Sequence, residues 1–366
     1  MQYTDKEILN NVTKLLLVVQ GGIGRNFTAT AVIRELKRTY PEKDICVLAG
    51  CPELFLKNPS VKRVHNLSHP SYVFEDYIKD NRTLILNVEP YQHYGYIYRQ
   101  KHFAECWCDM LGIECRDIAP EIFFNNSEIE MAKDYLKKFN RRMVLIQHQG
   151  GKIPEKPDTK SRLIAQSGMY KRNLPENVTQ DLTNALIDMG YMVGSIGHKN
   201  QFLPKGAQQI SFPIRAITAL IPHVEAIITI DSFLLHASAC FKNGTPTMAL
   251  WGGTNPVVLG YPWHTNIVRE VCDNPMCHRP NSYLWDFEET GFLWDCPHND
   301  ICMNYKADEI IKEFKKITKP IEETKNDGTE SGKETCTKDK SCGQEDVPCK
   351  CEGNAPEEVP AGVRSN

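Results

Sequence analysis

The sequence predicts an α/β protein with two parallel sheets, and three observations lead to this class. Short apolar runs alternate with amphipathic segments at helical spacing, glycine turns follow several of the apolar runs, and the whole pattern restarts halfway along the chain. Strands that alternate with helices form a parallel sheet covered on both faces. We therefore expect two α/β domains in succession.

Composition limits the kind of partner. The 366 residues give room for two domains of ordinary size, and 43 basic against 46 acidic residues leave a formal charge of −3. Such a balance does not favour nucleic acid as the default partner. The longest apolar runs are shorter than the roughly 20 residues of a membrane span, and the first residues lack the regions of a secretion signal. We expect a cytoplasmic protein without a membrane span.

The first domain is predicted over residues 1–138. Its elements are the strand Lys14–Val19, the glycine turn "QGGIGR", the helix Phe27–Tyr40, the strand Asp44–Gly50, the strand Thr83–Val88 and a helix over Tyr96–Ile113.

The second domain is predicted over residues 139–305, where the pattern restarts at "RMVLIQHQGG" after a charged helix, "NNSEIEMAKDYLKKFNRR". Its further elements are "LPENVTQDLTNALIDMG" (helix), "YMVGSIG" (strand), "IRAITALI" (helix), "AIITI" (strand), "FLLHASACF" (helix) and "TPTMALWGG" (strand). An amphipathic helix follows over 306–318. Residues 319–366 are rich in Lys, Glu, Gly and Pro and are predicted to be disordered.

A candidate binding site begins where the strand "AIITI" ends. Asp231 ends this strand, and the next helix starts at Ser232 or Phe233, so free backbone amides can hold a phosphate oxygen. His236, one turn later, can reach the same anion or a sugar hydroxyl. In the alternative interpretation Asp231 only caps the helix and His236 is a buried histidine with its hydrogen bonds satisfied.

We expect three further segments to converge on the same edge of the sheet. Gln149, Gly150 and Gly151 form a glycine turn after one strand; Lys171 and Arg172 precede a helix; and "WGGTNP" ends the neighbouring strand. Backbone amides combined with a cation are typical of a diphosphate site.

These segments resemble the donor half of glycosyltransferase family 9, the heptosyltransferases. The resemblance is carried by "QHQGG", "KRNLP", "GSIGHK" and "IDSFLLHASACFKNGTPTMALWGGTNP", and the amino-terminal "GGIGRNFTATAVIRELKRTYPEKDICVLAGCPELFLKNPSVKRV" is similar to the family's first strand, turn and helix. It covers roughly Lys14 to Tyr305. It implies the GT-B fold, in which two Rossmann-like domains face a central cleft and the second binds a nucleotide-sugar.

The resemblance also implies an activity, the inverting transfer of a heptose or hexose from a nucleoside-diphosphate sugar to a hydroxyl, without an essential catalytic divalent metal. Lys171 or Arg172 would neutralise the leaving diphosphate, and the amides from Ser232 to Leu234 would hold its oxygens. Asp231 and His236 would orient the sugar, and His198 would lie near the nucleoside. The acceptor would be a glycan or protein hydroxyl, with a modified nucleic-acid base less favoured, and a homo-oligomer stays open.

One position departs from the family pattern. Where heptosyltransferases of lipopolysaccharide carry a Gly-Asp pair with the proposed base, this chain has Gly24 and Arg25, and a guanidinium cannot accept a proton at neutral pH. Glu89 is our first candidate for the base, with His93 second and Asp109 a further option. Glu89 can also be an ordinary loop acid. Arg25 would suit an anionic acceptor or the phosphates of the donor. Loss of the base also leaves open a catalytically degenerate protein that only binds nucleotide-sugar or assists assembly.

Four cysteines form a candidate metal site. Cys272, Cys277, Cys296 and Cys302 occur as two pairs, a layout that favours tetrahedral Zn or Fe, with disulfides or free thiols as alternatives. The cluster resembles in placement the iron-binding cysteine motif of the autotransporter heptosyltransferases, which implies a structural metal. His278 or His298 can replace one cysteine.

An oxidoreductase is disfavoured. The third glycine of a dinucleotide-binding turn is Phe27 here, and the next strand ends in Gly50, without an acid for a ribose hydroxyl.

Overall fold

Two parallel sheets organise the chain. The computed structural model describes residues 6–79, 82–150, 172–198, 201–277 and 298–319. All of these residues fall within the unit Met1–Ile321. The predictions for Gly151, Lys171, His278, Cys296 and the tail from residue 320 onward lie outside the described residues.

The first sheet has the order β3-β2-β1-β4, with all strands parallel. Its strands are β1 Lys14–Val19, β2 Asp44–Ala49, β3 Arg63–Asn66 and β4 Thr83–Leu86. The central strand β1 pairs Leu15 with Ile45 on one side and with Leu84 on the other. Its apolar run is buried because the sheet is covered on both faces.

The second sheet has the order β10-β9-β8-β5-β6-β7 and is also parallel. Its strands are β5 Met143–Gln147, β6 Met192–Ile196, β7 Gln208–Ile210, β8 Ala226–Ile230, β9 Thr247–Trp251 and β10 Thr265–Val268. Below, residues 6–136 are called the first half and residues 143–319 the second half.

Helices connect the strands of both sheets. They are α1 Lys6–Asn11, α2 Ile23–Thr39, α3 Tyr94–Ile97, α4 Phe103–Leu111, α5 Asn126–Leu136, α6 Glu176–Asp188, α7 Ile214–Leu220, α8 Phe233–Ala239, α9 Pro256–Leu259 and α10 Ala307–Ile317. The late helix α10 packs on the second half, where the ring of Phe314 meets that of Tyr191 at 5.6 Å. Among the described residues no helix is both long and apolar enough to cross a bilayer.

The single helix expected over Tyr96–Ile113 is wrong, because the chain breaks between α3 and α4. Arg99 adopts a left-handed conformation with φ of 59°. His102 then starts α4 with a capping box in which its Nδ1 accepts from the Ala104 amide while Glu105 binds the His102 amide. Tyr91 and Tyr96, which lie between β4 and this break, line the cavity described below.

One buried arginine ties the two halves together. Arg215 of α7 in the second half binds Glu128 of α5 at 2.6 Å, and it donates to the carbonyl oxygens of Phe123 and Glu53 at 2.6 and 3.0 Å. The guanidinium therefore contacts three residues of the first half, two near the start of α5 and one after β2. This network fixes one side of the space between the sheets.

Candidate functional site

A cavity of about 690 Å³ lies where strands of both sheets end. Each strand that borders it contributes the residues directly after its carboxyl end, which is where open α/β sheets bind ligands. The polar residues and glycines of its wall are Gly22, Gly24, Arg25, Tyr91 and Tyr96 from the first half, and Gln147, Gln149, Arg172, Gly197, His198, Gln201, Ser211, Asp231, Ser232, His236 and Thr254 from the second.

Arg172 and Asp231 form an ion pair in this wall. Arg172 Nη1 lies 3.5 Å from Asp231 Oδ2, and Asp231 is only 3% exposed. A methyl group at Gly150 would lie 3.1 Å from Arg172 Nε and 3.3 Å from Ser232 Oγ, so glycine allows the turn to approach both side chains. The structure thus brings together four of the predicted donor residues.

The start of α8 is only partly as expected. Ser232 is the N-cap residue, so the interpretation of Asp231 as the helix cap does not hold, and Ser232 makes no side-chain capping bond. The amide of Leu234, which we expected to bind a phosphate oxygen, donates to Gln147 Oε1 at 3.0 Å. Phe233 and Ser232 line the cavity.

His236 is buried where the two halves meet. Its Nδ1 is hydrogen-bonded with the Tyr261 hydroxyl at 2.9 Å. Burial lowers the pKa of His236 to about 4, although Asp231 nearby opposes this effect. The imidazole is therefore neutral at physiological pH. The backbone of Gly24 packs directly on it, since an added Cβ would lie 2.5 Å from His236 Cδ2.

Arg25 enters the cavity from the first half. Its Nη1 donates to Glu89 Oε2 at 2.7 Å, and its Nη2 donates to the Val88 carbonyl at 3.2 Å. The guanidinium carbon lies 5.1 Å from the centre of the Trp107 ring and 5.7 Å from that of Tyr91. The residue is 6% exposed.

The candidate bases lie behind this wall. Glu89 and His93 are absent from the described residues that line the cavity. Glu89 Oε1 accepts from the Tyr91 amide at 3.3 Å, and His93 Nδ1 accepts from the Gly95 amide at 3.1 Å, so each starts a short helix. Asp109, 2.5 Å from Lys101 Nζ, does not reach the wall either.

Several buried donors in the wall have no hydrogen-bond partner among the described residues. They are Arg25 Nε, Arg172 Nε and Thr254 Oγ1. Buried polar groups are normally satisfied, so unpaired ones in a cavity wall indicate where a polar ligand binds. Thr254 was not singled out from the sequence, although it lies in the quoted stretch "WGGTNP". Gln147 and Tyr96 also line the cavity, and no feature of the sequence predicts this for either residue.

The described cysteines of the candidate metal site lie near one another. Cys272, Cys277, Cys302 and His298 line one small cavity beside Gly252 and Gly253. The ligand atoms of Cys272, Asp273 and His298 lie within 4.8 Å of one another. His298 Nε2 is 2.8 Å from Asp273 Oδ1. One thiol, one carboxylate and one imidazole at such separations can bind a single Zn or Fe ion, and Cys277 and Cys302 line the same cavity.

Two parallel α/β halves with a cavity at the strand ends constitute the GT-B fold, and the solved structures that match this chain include GT-B glycosyltransferases. A family 9 glycosyltransferase from Veillonella parvula is similar over 83% of this chain and 97% of its own, with TM-score 0.59 and 12% identity. No family model matches the chain, and a search of curated proteins finds no match.

Two enzymes of E. coli are similar at comparable levels. The iron-containing dodecameric glycosyltransferase TibC covers 84% of this chain and 76% of its own, with TM-score 0.60 and 14% identity. ADP-heptose lipopolysaccharide heptosyltransferase II covers 71% of this chain and 92% of its own, with TM-score 0.52 and 16% identity. At these identities the likeness establishes the fold.

Proposed function

We propose that the protein is an inverting glycosyltransferase that moves a heptose or hexose from a nucleoside-diphosphate sugar to a hydroxyl acceptor. The observation that carries the proposal is the set of unpaired buried groups, Arg172 Nε and Thr254 Oγ1, in the wall of one cavity at the strand ends. A diphosphate offers the acceptor oxygens that these groups lack. The GT-B fold supports the same assignment.

The donor would bind to the second half. Arg172 would neutralise the diphosphate, and Gly150 would let the backbone approach it, because a larger residue would meet Arg172 and Ser232. Asp231 would hold Arg172 in place and orient the sugar, and His198 would lie at the nucleoside end. The donor-binding domain would span 139–305, and the first domain, 1–138, would bind the acceptor, a glycan or protein hydroxyl.

A structural metal belongs to this proposal. Cys272, Cys277, Cys302 and His298 would hold a Zn or Fe ion, which would brace the loop beside Gly252 and Gly253. These glycines precede Thr254, so the bound ion would fix a segment of the cavity wall. TibC is described as iron-containing and dodecameric. We expect this chain to form an oligomer too.

A second candidate function is nucleotide-sugar binding without transfer. It is favoured by one observation, that Arg25 stands where the family carries its proposed base while Glu89 and His93 do not line the cavity. Donor hydrolysis separates the two candidates, because a binding module leaves the donor intact.

The test is mass spectrometry of the purified protein incubated with ADP-heptose, ADP-glucose, UDP-glucose and GDP-mannose. We expect Arg172→Ala and Asp231→Asn each to lower donor turnover at least about 100-fold. Arg172→Ala removes the positive charge that faces the diphosphate, and Asp231→Asn removes the carboxylate that holds this charge in place. Thermal unfolding should change little. The control is Arg142→Ala, which breaks another arginine–carboxylate pair of the second half, with Glu225 at 3.0 Å, away from the cavity. Wild-type turnover in both site variants would contradict the site assignment.

A further inference from the structure

We propose that Arg25 is a catalytic residue that binds the departing diphosphate from the acceptor side, and that Glu89 is the positioning residue that holds it. The inference rests on the proposed function and decides between the two roles that the sequence leaves open for Arg25. It assigns the anion to the leaving group and not to the acceptor.

The guanidinium of Arg25 is held on every side but one. Glu89 and the Val88 carbonyl engage Nη1 and Nη2, and the rings of Tyr91 and Trp107 contact its faces. Nε has no partner among the described residues, although Arg25 lines the cavity. A cation fixed in this way needs no reorganisation when negative charge develops in front of it, which is the condition for strong electrostatic stabilisation.

The first turn of α2, which carries Arg25, lies against the proposed donor site. Gly24 packs on His236, which lies in α8, the helix that Ser232 caps. The buried ring of Tyr96 connects the same two regions. Its ring centre lies 5.0 Å from that of Tyr91, which packs against Arg25. Burial raises the pKa of Tyr96, and the nearby Tyr91 and Asp231 raise it further. Arg25 and Arg172 therefore approach one volume from opposite halves.

Glu89 is engaged by Arg25 and by the backbone. Its Oε2 accepts from Arg25, its Oε1 accepts from the Tyr91 amide, and the side chain does not line the cavity among the described residues. A carboxylate in this position cannot meet an acceptor hydroxyl in the cavity without leaving Arg25. Orientation of the guanidinium is the role that its contacts support.

The chemical step is a displacement at the anomeric carbon of the sugar. The bond from this carbon to the diphosphate oxygen breaks, its electron pair stays on the diphosphate beside Arg25 and Arg172, and the acceptor oxygen forms the new bond. The proton of the attacking hydroxyl passes to solvent water as that bond forms. The products are the glycoside, the nucleoside diphosphate and one proton.

The experiment compares donor hydrolysis with transfer. Hydrolysis by water needs the leaving-group contact but no acceptor. We expect Arg25→Gln to lower the kcat of hydrolysis of the best panel donor about 100- to 1,000-fold, while the Kd for ADP, measured by calorimetry, changes less than about tenfold. Arg25→Lys keeps the charge but loses the fork of donors, so it should fall between Arg25→Gln and the wild type.

Two further variants test the assignment. Arg38→Gln is the matched control, because Arg38 lies on the same helix and pairs with Glu35 at 2.9 Å without lining the cavity. It should hydrolyse donor at the wild-type rate. Glu89→Gln should lower hydrolysis about tenfold and leave the shape of the pH profile of kcat unchanged, since a positioning residue does not transfer the proton.

Three results would overturn the inference. If Arg25→Gln hydrolyses donor normally but no longer transfers, Arg25 binds the acceptor. If Glu89→Gln removes the acidic limb of the pH profile, Glu89 is the base. If the wild type neither binds ADP nor hydrolyses any panel donor, the proposed function fails and this assignment fails with it.

Discussion

Gly24 lies at a contact between the two halves where there is no room for a side chain. A Cβ at this position would lie 2.5 Å from His236 Cδ2 and 2.9 Å from its Nε2. The imidazole cannot turn away easily, because it is buried and hydrogen-bonded with Tyr261. The close approach of the two halves thus depends on glycine here.

We therefore expect Gly24→Ala to lower the free energy of unfolding by roughly 1–3 kcal/mol and to reduce donor turnover, since overpacking pushes the halves apart. Gly22→Ala, two residues earlier in the same turn, is the control, because a Cβ there would meet no atom within 4 Å. Chemical denaturation measures both variants. Equal stability of the two would show that the cleft yields at this contact.

At the scale of residues, the sequence can predict which residues lie at the carboxyl ends of the strands. Arg172, Asp231, Ser232 and His236 line one cavity, because residues after parallel strands gather at one sheet edge. The position of Thr254 in the cavity wall and the hydrogen bond from the Leu234 amide to Gln147 depend on groups that meet only after folding. For the same reason the sequence could not show that Glu89 faces Arg25.

At the scale of elements, most strands and helices are where apolar periodicity places them. The strands β1, β5, β6, β8 and β9 coincide with the predicted runs, since buried parallel strands read as continuous apolar segments. The break between α3 and α4 was missed, because the apolar spacing continues across it. The helix is interrupted by the left-handed Arg99 and the histidine cap, which the apolar spacing does not reveal.

The candidate metal site at Cys272, Cys277 and Cys302 gives a prediction at this scale. We expect the purified protein to contain one Zn or Fe per chain by elemental analysis, and a chelator to lower the thermal unfolding temperature by several degrees, since a bound ion stabilises the loops it joins. Cys302→Ser should have the same effect, while Cys51→Ser, a half-buried cysteine of the first half, should keep the metal. A metal-free protein that unfolds at an unchanged temperature would exclude the site.

For the whole molecule, buried histidines at the junction of the halves predict acid sensitivity. Burial lowers the pKa of His102 and His264 to about 3 and that of His236 to about 4, below their ordinary 6.5. The unfolded chain binds these protons first, so stability is lost as the pH falls from 6.5 toward 4. Each histidine costs about 2 kcal/mol at pH 5, from 1.36 kcal/mol per pH unit over 1.5 units.

Unfolding temperatures measured between pH 7 and pH 5 check this expectation. His102→Asn is the informative variant, because asparagine can also cap α4 but does not titrate. It should remove roughly 2 kcal/mol of the acid sensitivity. An identical pH dependence in the variant and the wild type would mean that folding leaves the pKa of His102 at its ordinary value of 6.5.

Strand order has a consequence for how the chain folds. All four strands of the first sheet lie within Lys14–Leu86, so this sheet can assemble while the ribosome is still making the rest. In the second sheet β5 must wait for β8, whose Ala226 pairs with Val144, and β10 completes the sheet only at Val268. Pairings between such distant strands are slow, so a nascent chain would expose an unfinished second sheet during synthesis.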